Sequence, residues 1–204
     1  MPNLGLLFSD HSGLTRWNQS GTLSREVALY KMFSQASWDV TFFSYDNDKN
    51  IPDPGFPVHV CSQHPLRLPK KWHNLYHLLL PYRYKKVGSK LDILMTNQAH
   101  SATPAIRASQ EWGVKLAARC GYVYGESAQA LGKKGKKVRK RIAKEKATFE
   151  HADVCIVPTA ALKKWTIDNY SIASSKIRVI PNYVDTEAFA PDHKSKKEYD
   201  IISV

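Results

Sequence analysis

The side chains in this chain that are able to do chemistry gather at the ends of short apolar runs. The first such place is DHSGLTRWNQSGT, residues 10–22, between an apolar run at 3–9 and a segment with helical spacing at 22–35. Ser20, Gly21 and Thr22 stand where that helix should begin. A glycine there lets backbone approach a ligand closely, and the free N–H groups and dipole of a helix start favour a phosphate. The stretch lacks GxGxxG spacing, so a glycine in a long loop is an equal reading. The next places are TNQAH, with Asn97, Gln98 and His100, and RCGYVYGE, with Arg119, Tyr122 and Glu126. His100 or Glu126 can exchange a proton, and Arg119 can hold an anion. Each of them could equally cap the next helix or solvate a loop.

Other chemistries have less support. His73 and His77 share a helix face at i, i+4, but no acidic third ligand completes a metal motif, so no metal is expected. GKKGKK, from Gly132, has no Ser or Thr after its lysines and is not a P-loop. No GxSxG is present, and no residue can be named as a catalytic nucleophile. Cys61, Cys120 and Cys155 are odd in number and far apart, which argues for buried thiols in a reducing compartment. The N-terminus has no basic region before its short apolar run, and no run reaches the roughly 18 apolar residues of a membrane span. A cytoplasmic protein, free or peripheral on the cytosolic face of a membrane, is therefore expected.

Net charge is +12 over 204 residues, and residues 133–146 concentrate it, with nine Lys or Arg against one Glu. Such a block can be a solvated helix face, or can attract an acidic membrane or nucleic acid. The aromatic and basic stretch 67–86 favours the membrane, because Trp72, Tyr76, Tyr82 and Tyr84 beside Lys70, Lys71, Arg83, Lys85 and Lys86 suit an interface. Lys136, Lys137, Lys140 and Arg141 are the candidate membrane-facing residues. Core packing explains the leucines of 67–86 equally well.

The elements that must position these residues follow from periodicity. Apolar runs at 3–9, 40–45, 58–61, 91–96, 114–118, 154–157 and 177–180 read as strands. Helices are expected at 22–35, 67–86 (with Pro81 kinking or ending it), 102–112 (stopped by Gly113), 136–152 and 160–170. In the helix at 136–152, Val138, Ile142 and Phe149 form an apolar face that Glu145 interrupts. This alternation calls for an α/β fold: a Rossmann-like parallel sheet with helices on both faces and ligands at the carboxyl ends of the strands.

HADVCIVPTAALKKW followed by KIRVIPNYVDTEAFAP resembles the end of the N-terminal domain of glycosyltransferase family 4. Those enzymes have the GT-B fold. The strand, Ser20-Gly21-Thr22 and WDVTFFSYD are similar to that family's glycine loop, first helix and second strand. Tyr183 stands where the family usually has glycine, and Arg119-Cys120-Gly121-Tyr122 stands where members often carry a His-containing turn. The resemblance implies that Ser20, Gly21 and Thr22 form the loop that meets the donor phosphates. It makes Asn97, His100, Arg119, Tyr122 and Glu126 candidates for acceptor contacts, and Asn182, Tyr183 and Asp185 a hinge.

The domains expected on that basis are an acceptor-side domain at 1–181, a hinge and linker at 182–197, and at 198–204 the first strand of a donor-binding domain that this chain lacks. The resemblance implies a retaining enzyme that moves a sugar from a nucleotide diphosphate sugar to a glycan or lipid-linked acceptor, with no cofactor and no obligatory metal. These residues alone are expected to be inactive. The alternative is a basic Rossmann-like module that binds anionic membrane or nucleic acid without catalysis, nucleic acid being the less favoured partner.

Overall fold

A computed structural model describes residues 1–183 except 11, 48–49, 63–72 and 103. Its strands are β1 (Asn3–Leu7), β2 (Asp39–Phe43), β3 (His59–Cys61), β4 (Ile93–Thr96), β5 (Lys115–Arg119), β6 (Val154–Val157) and β7 (Ile177–Val179). They form one sheet in the order β3-β2-β1-β4-β5-β6-β7, parallel throughout. The inner strands β1, β2, β4 and β5 are buried along most of their length, as a sheet covered on both faces requires, whereas the edge strands β3 and β7 are more exposed. Leu4, Leu6, Leu7, Phe42, Phe43, Leu94, Ala117 and Cys155 are all buried in the one core.

The helices are α1 (Leu14–Gln19), α2 (Leu23–Gln35), α3 (His73–Arg83), α4 (Lys85–Gly88), α5 (Ala105–Trp112), α6 (Tyr124–Ala130), α7 (Lys136–His151) and α8 (Ala160–Tyr170). Right-handed crossovers put α1 and α2 over one face, and α3 with the later helices over the other. The contacts agree, since α3 packs on α5, and α5 on α7. From β1 the chain runs one way along the sheet, to β2 and β3, and from β4 it runs the other way. The β1–β4 seam is therefore the switch point, where the loops part and leave a crevice.

Three local features depart from expectation. The loop at 10–22 contains a helix, α1, and the loop after β5 contains α6. Helix α3 runs two residues past Pro81, whose carbonyl accepts from Trp112 Nε1 at 2.6 Å. Glu145 does not interrupt the docking face of α7; it is fully buried within it. Gly113 closes α5 in the left-handed region, at φ 69°, as its position suggested. All three cysteines are free and buried. Among the described residues, no helix is long and apolar enough to cross a membrane.

Candidate functional site

Two clefts open at the carboxyl edge of the sheet. The first holds about 570 Å³ and is lined from α2 by Arg25, Glu26, Leu29 and Tyr30, and from the β4 and β5 ends by Gln98, Arg119, Gly121 and Tyr122. Asn182 and Tyr183 close it. These last two are stitched to the domain. Asn182 Nδ2 donates to Gly121 O at 3.1 Å, Gly121 N donates to Gln98 Oε1 at 3.2 Å, and Tyr183 Oη donates to Arg25 O at 3.0 Å. Tyr183 needs no glycine-like backbone, since outside glycine only Ser37 and Ser171 have positive φ among the described residues. Arg119 has no carboxylate partner among those residues. The buried Tyr30 hydroxyl makes no hydrogen bond there, and burial pushes it up to about 12.

The turn into α2 differs from a simple phosphate loop. Gly21 is left-handed at φ 68° and has open space around it, so backbone conformation and not crowding demands the glycine. Thr22 occupies the N-cap position, yet its hydroxyl turns back to Trp17 O, so no side chain caps α2. The start of α1 is already used: Leu14 N and Thr15 N both donate to the Asp46 carboxylate at 2.9 Å. A Cβ at Gly13 would lie 2.4 Å from Asp46 Oδ2, so this close approach requires a glycine that sequence reasoning passed over.

The second cleft holds about 540 Å³ and sits at the switch point. Asp10 enters from the β1 end, His100 from the β4 end, and Tyr124 from the start of α6. Lys137, Lys140, Arg141 and Lys144, spaced i, i+3, i+4, i+7, line it from one face of α7. Lys144 Nζ lies 3.9 Å from Asp10 Oδ2, while Lys137, Lys140 and Arg141 have no acidic partner among the described residues. Arg141 lies over the Tyr124 ring at 5.5 Å. His100 is 9% exposed, and its Nδ1 has no hydrogen-bond partner among the described residues. Burial, with the Arg141 guanidinium adding to it, pushes His100 down to about 4 and keeps it neutral at pH 7. Its ring stacks on Tyr124 at 5.1 Å and tilts against Tyr122 at 5.5 Å. Tyr122 belongs to the first cleft and Tyr124 to the second, so this aromatic stack is the partition between them.

One buried carboxylate holds that partition in place. Glu145 accepts from Tyr124 N at 2.8 Å, Gly125 N at 2.9 Å and Tyr170 Oη at 2.6 Å. It thus caps α6 from the middle of α7. Burial raises its carboxyl above the ordinary value, against the opposing pull of those three hydrogen bonds.

The structure therefore brings Arg119, Tyr122, Asn182 and Tyr183 into the first cleft, and His100, Lys137, Lys140 and Arg141 into the second. Ser20, Gly21 and Thr22 sit in the turn between α1 and α2, outside both linings. Asn97 is buried, and its N–H donates to Leu7 O. Glu126 is in the first turn of α6 and Lys136 is the exposed first residue of α7; neither lines a cleft. Asp185 lies outside the described residues. His77 packs against Tyr45 and lies 3.7 Å from Asp10, and among the described residues no three His, Cys, Asp or Glu side chains converge. Asp10, Tyr30, Tyr124 and Glu145 are the contributors that sequence reasoning missed.

Known proteins give this arrangement a context. The sequence profile of glycosyltransferase family 4 matches residues 27–188. No curated protein sequence is significantly similar to the chain. Among solved structures, a sucrose-phosphate synthase from Thermosynechococcus elongatus aligns with TM-score 0.55 at 19% identity, over 92% of this chain and 93% of that one. HepE from Anabaena, solved with UDP and glucose, aligns with TM-score 0.57 at 14% identity, over 92% of this chain and 46% of HepE. The lipopolysaccharide outer core galactosyltransferase WaaB, in its apo form, gives 0.56 at 15% identity, over 95% of this chain and 50% of WaaB. The chain spans about half the length of these last two proteins. At such identities the structural likeness establishes the fold, the Rossmann-like half of a GT-B architecture. The profile match runs over most of the chain, and with it the assignment is complete: this chain belongs to glycosyltransferase family 4.

Proposed function

We propose that this chain is the acceptor-side domain of a retaining glycosyltransferase, one that moves a sugar from a nucleotide diphosphate sugar to a hydroxyl of a glycan or lipid-linked acceptor. The observation that carries the reading is the first cleft. Strand ends, the first turns of α2 and the hinge residues Asn182 and Tyr183 meet there, and Arg119 has no carboxylate partner among the described residues. A donor-binding domain following the hinge would form the opposite wall. HepE, solved with UDP and glucose, supports the class of donor.

Within that reading the residues divide the work. The uncapped start of α2, entered through Gly21, offers backbone N–H groups toward a diphosphate. Arg119 offsets negative charge in the first cleft, and neutral His100, in the neighbouring cleft, is able to accept a hydrogen bond from an acceptor hydroxyl. No metal has an assigned role, and the sugar–oxygen bond is exchanged with retention of configuration.

The test compares the 204-residue chain with a longer chain that carries a donor-binding domain after Val204. Each is incubated with a panel of nucleotide diphosphate sugars and lipid or glycan acceptors, with and without EDTA. The longer chain should transfer sugar in both conditions, and proton NMR of the product should show the donor's anomeric configuration. Turnover by the 204-residue chain alone, or inverted products, would overturn the reading.

A peripheral membrane location on the cytosolic side belongs to the same proposal. Leu78, Leu79 and Tyr82 are exposed on α3 beside Arg83, Lys85 and Lys86, the composition of an interfacial surface. Co-sedimentation with vesicles containing phosphatidylserine should fall after Leu79→Ser with Lys86→Glu. Unchanged binding would remove the membrane from the account.

A further inference from the structure

We propose that the second cleft is a subsite for a phosphate group carried by the acceptor, so that the enzyme's acceptor is a phosphorylated molecule and not a neutral glycan. This rests on the glycosyltransferase reading of the same domain and gives its acceptor a chemical class.

The charge balance comes first. Lys137, Lys140, Arg141 and Lys144 face one carboxylate, Asp10, and His100 is neutral, so the lining carries an excess of three positive charges. Such an excess suits a dianion better than a single carboxylate, since close cations repel one another until an anion fills the space between them. Lys137, Lys140 and Arg141 are not engaged with acids among the described residues.

Hydrogen-bonding capacity is the second, independent observation. His100 is nine-tenths buried, its Nδ1 has no hydrogen-bond partner among the described residues, and it stands at the end of β4, where an α/β sheet receives its ligands. A buried polar atom left without a partner costs free energy unless a ligand supplies one. Arg141 adds a planar fork of donors, and Tyr124 holds it by cation–π contact against the same ring that stacks on His100.

Position is the third. Among the described residues the cleft is lined from the β1 and β4 ends, α6 and α7, and the Tyr122–His100–Tyr124 stack lies between it and the hinge cleft. An anion held there lies next to the hinge cleft, where the two substrates would meet, in a lining supplied by this domain. That assigns it to the acceptor and leaves the donor's diphosphate to the hinge cleft.

The experiment is calorimetric titration of the 204-residue chain with glucose 1-phosphate, glucuronate and UDP, alongside NMR of the His100 imidazole. Two variants are compared. Lys140→Gln with Arg141→Gln removes two charges from the cleft, while Lys133→Gln with Lys134→Gln removes two from residues that line a different cavity. Glucose 1-phosphate should bind at least tenfold tighter than glucuronate, shift the His100 resonances, and weaken at least tenfold in the first variant with less than twofold change in the second. Absence of binding, or equal loss in both variants, overturns the subsite. Glucuronate binding as tightly as glucose 1-phosphate overturns the phosphate assignment. UDP displacing glucose 1-phosphate from His100 with higher affinity gives the site to the donor and overturns the acceptor assignment. None of these outcomes depends on turnover, so the glycosyltransferase reading stands or falls separately by sugar transfer.

Discussion

Replacing Glu145 by alanine probes how the fold holds its partition. The carboxylate is fully buried and accepts from two backbone amides and one tyrosine hydroxyl. Removing it strands three donors, and a buried donor without a partner costs about 1–3 kcal/mol. Water reaching the start of α6 would recover part of this, and the loss of a carboxylate already raised by burial offsets more. The net cost should be about 3 kcal/mol, a large fraction of a domain's roughly 5–15 kcal/mol. Urea unfolding reads it as a lower midpoint with unchanged slope. Should the alanine variant fail to fold, Glu145→Gln gives the second reading. Its amide keeps one oxygen but must point an NH2 at one of the two backbone donors, since only Tyr170 Oη can reverse its role. That variant should lose about 1–2 kcal/mol. Hydrogen exchange should accelerate at Tyr124 and Gly125 in both. A loss below about 1 kcal/mol for Glu145→Ala, with exchange at Tyr124 unchanged, would refute the claim that this carboxylate holds α6.

Two further predictions concern titration and backbone. His100 is depressed to about 4, so the unfolded chain takes up its proton near pH 6.5 while the folded chain does not. Its contribution is fully present above pH 6.5 and is lost as pH falls toward 4; Glu145, shifted upward, works in the opposite sense. His100→Gln should therefore flatten the decline in stability between pH 6.5 and 4 relative to the parent chain, and an unchanged slope in urea midpoints would count against a buried neutral imidazole. Gly13→Ala puts a methyl 2.4 Å from Asp46 Oδ2 and should cost about 1–3 kcal/mol, whereas Gly21→Ala meets no atom and should cost only its left-handed backbone strain, about 1 kcal/mol. Thermal melts showing the reverse order would contradict the placement of the two turns.

Much of this architecture can be read along the chain because its signals are local. Each buried strand is an apolar run, and α5 and α8 end where Gly113 and a serine at 171 take left-handed backbone. What escapes is held by distant partners. Helix α1, only six residues long, depends on Asp46, more than thirty positions downstream. Helix α6 depends on Glu145, twenty-one positions from Tyr124. Neither helix has an apolar period long enough to reveal it.

The same holds at the site. Arg119 and His100 can be marked from their place after strands, but that they face different clefts follows only from the aromatic stack between Tyr122 and Tyr124. The lysine block reads as a surface feature, although the i, i+3, i+4, i+7 spacing of 137, 140, 141 and 144 already places those four on one helix face. Only the sheet order brings Asp10 and His100 opposite that face.

The central claim is that this domain receives the acceptor. Its most direct test is a steady-state comparison in the longer chain carrying both domains, using the parent and Lys140→Gln with Arg141→Gln. The account predicts an acceptor KM raised at least tenfold, with the KM for the nucleotide sugar changed less than twofold. A raised KM for the nucleotide sugar with an unchanged acceptor KM would contradict it.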